Sequence, residues 1–129
     1  MTYTRTLQSV YSFQDTIERL QGAFEAKGFV IFAIIDQQKA ARSVGLDMPP
    51  TTLLVYGNPK GGTPLMLAAP DFALELPLKV LVREDSERVL VVFTPAASLE
   101  GRHGLPAGFA SKLAGAETVI AAAVGAGSN

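Results

Sequence analysis

Two apolar segments in the second half of the chain constrain the fold more than any other feature. The segments "LKVLVRED" (78–85) and "RVLVVFT" (88–94) have the branched apolar residues of strands, and the acidic sequence "EDSE" joins them. Neighbouring antiparallel strands accept so short a connection, whereas parallel neighbours need a crossover of about a dozen residues or more. The pair therefore predicts a β-hairpin whose apolar residues form the centre of a sheet.

The first third of the chain alternates between strand and helix signals. Residues 2–10 alternate as a half-exposed strand, and Ser12 then provides an N-cap with Asp15 in a position like that of a capping box. Four apolar residues follow at helical spacing: Phe13, Ile17, Leu20 and Phe24. The continuous apolar segment "GFVIFAIID" (28–36) predicts a second strand, buried on both faces or at an interface.

The remaining segments continue this alternation. Asp36 is expected to cap the short helix "QQKAARSV" before Gly45, and "TTLLVYG" (51–57) predicts a third strand. Thr63 followed by Pro64 predicts the start of a helix, which Pro70 breaks or kinks. A final helix is expected to place four apolar residues on one stripe: Phe109, Leu113, Ala116 and Ile120.

Together these elements predict one α+β domain over residues 1–129, with 125–129 frayed at its end. We expect two layers, in which helices pack against a mixed, mostly antiparallel sheet of about five strands. A three-layer α/β arrangement is the alternative, because helices and strands are interleaved along the chain.

Composition excludes several functional classes. The chain has 129 residues, a net charge of -1 and no cysteine, so neither a nucleic-acid partner nor thiol chemistry is expected. The N-terminus lacks a secretory signal pattern, and the apolar run 29–35 is far shorter than the ~20 residues that span a bilayer. These observations favour a cytoplasmic protein without a membrane partner. Hydrophobic residues make up 48% and charged ones only 18%, which favours a subunit interface.

The stretch "LLVYGNPKGGTPLM" (53–66) is the strongest candidate site, because it places glycines and a lysine between a strand and a helix. It fails the Walker pattern, since Lys60 precedes both glycines, and the adjacent glycines also break the dinucleotide pattern. An anion could still bind to five residues here: Asn58, Lys60, Gly61, Gly62 and Thr63. The alternative is that turn formation and helix capping explain the whole stretch.

Other polar residues are weaker candidates. Asp36 ends a strand and His103 is the only histidine, so these two could supply acid–base chemistry, although capping and structural hydrogen bonding also explain them. Lys79 and Arg83 share one face of their strand, and either that face is solvated or the two cations meet Asp36 or a ligand carboxylate. The carboxylates of the hairpin turn are expected to be solvated. No metal site and no cofactor are predicted.

Several of these segments, in order, resemble the family called domain of unknown function 302. The segments are "IID", "GLDMPPTTLLVYGNPKGGTPLM", "LELPLKVLVRED" and "RHGL", and the resemblance is strongest over residues 29–105. It implies a small α+β homodimer without an established activity. In many relatives the residue at Gln37 is histidine and that at Arg83 is tryptophan, so any histidine site of the family would be missing from this chain.

Three functional hypotheses follow. The first is a homodimeric binding module for a small anionic ligand or a protein partner, with Asn58, Lys60 and Thr63 at the site and Lys79 and Arg83 nearby. The second is an enzyme that uses Asp36 and His103, with assistance from Lys79. The third is a purely structural role in assembly. The residue inventory favours a protein that is not an enzyme.

Overall fold

A computed structural model of the chain describes residues 3–125. Thr2 of the predicted first strand and residues 126–129 of the segment expected to be frayed lie outside this range. The described part contains one sheet with the strand order β1-β5-β4-β3-β2, and each of its four pairings is antiparallel. The strands are β1 (Arg5–Gln8), β2 (Val30–Asp36), β3 (Thr51–Gly57), β4 (Leu78–Asp85) and β5 (Arg88–Phe93).

Four α-helices and four short 3-10 helices complete the described residues. The α-helices are α1 (Phe13–Ala26), α2 (Gln37–Ser43), α3 (Pro59–Ala68) and α4 (Gly115–Val124). The 3-10 helices are Pro70–Glu75, Ala96–Leu99, Arg102–Gly104 and Phe109–Leu113. The α+β prediction is therefore confirmed, and the three-layer alternative is wrong, because it requires parallel strands.

The central hairpin has the predicted geometry. Strands β4 and β5 pair with Val82 opposite Val91, and the ladder ends where Asp85 faces Arg88. The Arg88 guanidinium donates to the Asp85 carboxylate at 2.8 Å. Only two residues therefore form the turn, and the first of them, Ser86, has a φ of 60°. A positive φ is what a tight hairpin turn requires if the strands are to keep their right-handed twist.

Helices α1 and α4 pack on one face of the sheet and form the main core with it. Leu20 and Phe24 of α1 are fully buried, and the Phe24 ring stacks on Tyr56 of β3 with 4.0 Å between centroids. Burial of one such side chain stabilises the fold by about 1.5–3 kcal/mol. As predicted, Ser12 caps α1, because its hydroxyl accepts a hydrogen bond from the Asp15 amide at 3.1 Å. The apolar residues at helical spacing, Ile17, Leu20 and Phe24, thus form the buried side of α1.

A second, smaller core lies between α3 and the 3-10 helices. Its buried members are Leu65, Ala69, Phe72, Ala96, Leu99, Leu105, Ala110 and Leu113. The predicted final helix is divided between these two cores. A 3-10 helix ends at Leu113 and α4 begins at Gly115, so Leu113 packs in the second core while Ala116 and Ile120 pack in the first. The prediction of one continuous helix was wrong because the apolar spacing continues across the break.

Strand β2 is a sheet edge, which corrects the expectation that it is buried on both faces. Its large apolar side chains are exposed instead: Val30, Phe32, Ile34 and Ile35. The strand follows α1 and pairs with β3 alone among the described strands. The other sequence expectation, burial at an interface between molecules, stays a prediction.

Candidate functional site

Helix α3 begins earlier than the sequence predicts, and this changes the character of the glycine-rich stretch. Asn58 is the N-cap residue, because its Oδ1 accepts a hydrogen bond from the Lys60 amide at 3.1 Å. Pro59 occupies the first helical position, where its missing N–H and fixed φ are tolerated. The prediction that Thr63 caps the helix was therefore wrong. Thr63 and Pro64 lie inside α3, and the supposed loop is its first turn and a half.

The two glycine amides already have acceptors within the chain. Gly61 and Gly62 both donate to the Asn58 carbonyl oxygen, at 2.9 and 2.8 Å. The Lys60 amide is bonded to the Asn58 side chain, and Pro59 has no N–H to offer. The free donors that make a helix N-terminus attractive to an anion are thus consumed by capping and by the first helical turns.

The glycines instead allow close packing around α3. A Cβ atom on Gly62 would lie 3.4 Å from the Leu76 Cδ1, and one on Gly57, at the end of β3, would lie 3.2 Å from the Phe32 Cε2. Both distances are at or below ordinary van der Waals contact between carbon atoms. The absence of side chains at these positions therefore lets β2 and the segment before β4 approach the junction of β3 and α3.

A cavity of about 320 Å³ lies at this junction. This volume is at the lower end of the range for small-molecule sites. Its walls are largely apolar and include Phe29, Phe32, Met66, Leu76, Leu78 and Leu113. Asn58 and Thr63 supply polar groups, and Lys112 is the one charged residue among the described residues that line it.

The structure brings only part of the predicted site together. Four residues that the sequence assigned to one site line the cavity together: Asn58, Gly61, Gly62 and Thr63. Lys60 is exposed and is not part of the cavity wall as described. Lys112 is the charged residue of the described lining; its carbonyl oxygen is the atom that approaches Gly61, and its ammonium nitrogen lies 5.4 Å from the centroid of the Phe109 ring, outside the described lining.

Lys79 and Arg83 do not join this site. They face Val55 and Thr51 across the β3–β4 ladder, on the opposite side of the sheet from the buried Val80. Their shared face agrees with the sequence prediction. Asp36, however, pairs with Thr52. It therefore belongs to the other face, and of the alternatives left open for these cations, the one in which they meet Asp36 is wrong.

Asp36 and His103 have separate partners. The Asp36 carboxylate accepts a hydrogen bond from the Lys39 amide at 2.9 Å, which confirms its predicted role as the cap of α2. His103 contacts the Glu75 carboxylate through its Nε2 at 2.7 Å, and its ring meets Phe72 edge-on. Neither residue lines the cavity beside α3. Among residues 3–125, no group of three or more histidine, cysteine or acidic residues is arranged to hold a metal ion.

One titratable side chain in this region has a strongly shifted pKa. Burial, and to a smaller extent the negative charge of Glu117, raises the pKa of Tyr56 above its ordinary value. Its ring stacks on Phe24 and meets Phe29 edge-on at 5.9 Å between centroids, and Phe29 also lines the cavity. Tyr56 is therefore a neutral aromatic support for one cavity wall. Glu117 itself accepts a hydrogen bond from the Ala96 amide at 2.7 Å.

Sequence reasoning missed the residues that come to the cavity from distant segments. Lys112 lies in a 3-10 helix more than 50 residues after Gly61, yet a Cβ on Gly61 would lie 3.9 Å from the Lys112 carbonyl oxygen. Phe32 reaches the cavity from a β-bulge, where the β2–β3 register shifts between Ile31 and Ala33. The only local signal was the apolar richness of 28–36 and of the segment before β4.

Two comparisons place the chain among known proteins of similar sequence. Over 101 residues it is 37% identical to the fluoride-specific ion channel FluC 1 of Brucella suis biovar 1 (strain 1330), a match that covers 78% of this chain and 40% of that protein. The protein of the same name from Brucella abortus biovar 1 (strain 9-941) also matches at 37% identity, over 37% of its length. The chain thus spans about two fifths of these relatives. Among the described residues, no helix has the length and apolar character needed to cross a membrane.

The fold itself occurs in a solved structure. The crystal structure of an uncharacterized conserved protein DUF302 from Bacillus stearothermophilus superposes with a TM-score of 0.81. The superposition covers 96% of this chain and 97% of that one, at 21% sequence identity. A family model described as domain of unknown function DUF302 matches residues 3–123. The chain belongs to this family.

Proposed function

We propose that this chain is a binding module whose cavity beside α3 takes a small anionic molecule with an apolar body. The observation that supports this most directly is the composition of the cavity wall. Six large apolar side chains surround the space, and the one charged residue of the described lining is Lys112, whose exposed ammonium lies beside Phe109 at the margin of this region. An apolar pocket with few polar groups is the common form of a small-molecule site.

The polar groups of the wall favour an anion over a cation. Lys112 carries a positive charge, Thr63 has a hydroxyl, and the Asn58 oxygen is already used by the Lys60 amide. What Asn58 retains is its NH₂ group, which is a donor. No carboxylate belongs to the described lining. A carboxylate ligand could therefore accept hydrogen bonds from these groups while its hydrocarbon part lies against the apolar walls.

Fluoride, the ion in the name of the channel relatives, fits this cavity poorly. It is small and strongly hydrated, and apolar walls cannot replace the hydration that it would lose. The match to those channels also covers only about two fifths of their length. We therefore propose an organic anion as the ligand, with a site that is separate from any fluoride pathway.

Octanoate is a suitable probe because it combines one carboxylate with an apolar chain, and octanamide is its uncharged counterpart. We expect calorimetric titration at fixed ionic strength to show that octanoate binds about threefold to tenfold more tightly than octanamide, a difference of about 0.7–1.4 kcal/mol. Lys112→Met should abolish this preference and leave octanamide binding unchanged. A protein that binds neither probe at millimolar concentration would refute the proposal.

Lys60→Met is the matched control. Lys60 is also an exposed lysine near the start of α3, but it lies outside the described cavity wall. The preference for octanoate should survive this substitution. The opposite result is a preference that is lost in Lys60→Met and kept in Lys112→Met. It would show that the anion binds near Lys60, as the sequence suggested.

We also propose that the partner of this chain is a second copy of itself, in the cytoplasm. The apolar composition supports a homodimer, and so does the exposure of apolar side chains on the edge strand β2. Catalysis by Asp36 and His103 has no comparable support, because the two residues have separate hydrogen-bond partners and neither lines the cavity.

A further inference from the structure

Strand β2 contains a β-bulge next to the cavity beside α3. The register of the β2–β3 ladder shifts between Ile31 and Ala33, so Phe32 has no partner of its own on β3. Bulges are common beside functional sites, where the extra residue changes the direction in which a side chain points. Phe32 is the residue whose placement this bulge determines.

The bulge brings two aromatic side chains to one cavity. In a regular strand, residues three positions apart point to opposite faces of the sheet. Phe29, just before β2, and Phe32 nevertheless both line the cavity. The extra residue explains this, because it moves Phe32 to the face on which Phe29 lies. The cavity thus receives two rings from one short segment of the chain.

The Phe32 ring lies against the end of β3. A Cβ atom on Gly57 would be 3.2 Å from the Phe32 Cε2, which is closer than ordinary contact between carbon atoms. Gly57 also lines the cavity. The missing side chain at Gly57 therefore allows the edge of the ring to lie on bare backbone, where the ring borders the cavity.

Phe32 lacks the aromatic neighbours that Phe29 has. Phe29 contacts Phe24 and Tyr56, with 5.4 and 5.9 Å between ring centroids. Phe32 takes part in none of the ring contacts between described residues, and it is 54% exposed. Aromatic side chains are common in the walls of small-molecule sites. The Phe32 ring thus has surface that is still available to a ligand in the cavity.

We propose that Phe32 is the specificity-determining residue of this cavity, and that the ligand is a carboxylate with a single aromatic ring. The inference rests on the proposed function and narrows its ligand class. The ring of the ligand would pack on Phe32 in the offset or edge-on arrangements that aromatic pairs prefer. Met66 lines the same cavity, and its thioether sulfur also favours contact with aromatic rings. At about 320 Å³, near the lower limit for small-molecule sites, the space suits one ring with a short acid chain.

The probes 3-phenylpropanoate and 3-cyclohexylpropanoate separate aromatic recognition from hydrophobic burial. The two acids share one carbon skeleton and one carboxylate, and the saturated ring is the more apolar. Burial alone therefore favours the cyclohexyl acid. We expect calorimetric titration to show that the wild type binds 3-phenylpropanoate about threefold to tenfold more tightly. Equal affinity for the two acids, or a preference for the cyclohexyl acid, would overturn the aromatic selectivity.

Phe32→Leu tests the residue itself, because it removes the ring and keeps an apolar side chain. It should abolish the preference for 3-phenylpropanoate. Tyr3→Leu is the matched control, since Tyr3 is also an aromatic residue about half exposed, at 51%, but lies outside the described lining. The preference should survive in Tyr3→Leu. A preference that is unchanged in Phe32→Leu would show that Phe32 does not determine specificity.

Octanoate titration separates this inference from the proposed function. A wild type that binds octanoate, and binds the two ring acids equally, would keep the ligand site and refute its aromatic selectivity. A wild type that binds none of the three acids at millimolar concentration would refute the proposed function and this inference with it.

Discussion

Replacement of Gly61 by alanine distinguishes a helix from a loop at the start of α3. In the structure Gly61 is the third residue of that helix, and its φ is not in the left-handed region. An added Cβ would meet only the Lys112 carbonyl oxygen, at 3.9 Å, which is ordinary van der Waals contact. Alanine restricts the unfolded chain and favours helix without creating a clash here. We expect Gly61→Ala to raise the free energy of unfolding by about 0.5–1 kcal/mol.

Gly28→Ala provides the opposite control. Gly28 follows α1 with a φ of 83°, and a Cβ there would meet nothing within 4 Å. The substitution therefore tests the backbone conformation alone, and we expect it to lower the free energy of unfolding by about 1–2 kcal/mol. The difference between the two variants would then be about 1.5–3 kcal/mol, which comes from φ and not from packing.

Urea unfolding followed by circular dichroism at 222 nm measures both changes. For a domain of this size, a gain of 1 kcal/mol corresponds to a rise of roughly 3–5 °C in Tm. If Gly61→Ala instead lowered the free energy of unfolding by 1 kcal/mol or more, the glycine would have to occupy a loop conformation that alanine avoids. The assignment of residues 59–62 to α3 would then be wrong, and the anion-binding loop would again be the better interpretation.

Two further predictions concern a helix cap and a buried phenol. Asp36→Ala should lower the free energy of unfolding by about 1 kcal/mol in urea titration, because the Lys39 amide loses its acceptor. Asp36→Asn keeps a side-chain acceptor, so this variant should retain most of the wild-type stability. Folding raises the pKa of Tyr56, so the folded state holds the phenol proton more tightly than the unfolded chain does. Stability should thus be unaffected by this group below about pH 10 and should fall above it by up to about 1.4 kcal/mol per pH unit. The measurement is the difference in unfolding free energy between wild type and Tyr56→Phe at pH 8 and pH 11, and a difference that does not change between these pH values would contradict the assigned cause.

The elements that the sequence predicted well depend on short-range patterns. The β4–β5 hairpin needs only two β-branched segments and a turn too short for any other connection. Helix α1 combines a cap at Ser12 with four apolar residues at helical spacing, and three of these, Ile17, Leu20 and Phe24, are buried. In both cases the pattern along the chain agrees with the tertiary contacts, so local reasoning was sufficient.

The start of α3 was mispredicted because the same start signal occurs twice within seven residues. Asn58 with Pro59 and Thr63 with Pro64 both combine a capping side chain with proline at the first helical position. The glycines between them favoured the second start, since glycine weakens a helix by about 1 kcal/mol relative to alanine. The structure has the first start, where the Asn58 carbonyl oxygen accepts both glycine amides and the bare backbone packs near Leu76. Contacts with a distant segment, which no local pattern contains, favour this helix.

The edge position of β2 in the sheet also could not be predicted from the sequence of the strand alone. An apolar segment such as 28–36 fits a central strand or an edge strand that faces another molecule, and only the strand order distinguishes them. The same limit applies to the cavity, because the sequence indicates where a glycine permits close approach but not which side chain makes it. Gly57 is approached by Phe32 and Gly61 by the backbone of Lys112, from opposite directions along the chain. The glycines of this stretch therefore act mainly through what they allow to pack beside them, and this is why the candidate site lies beside α3 although its amides are already bonded.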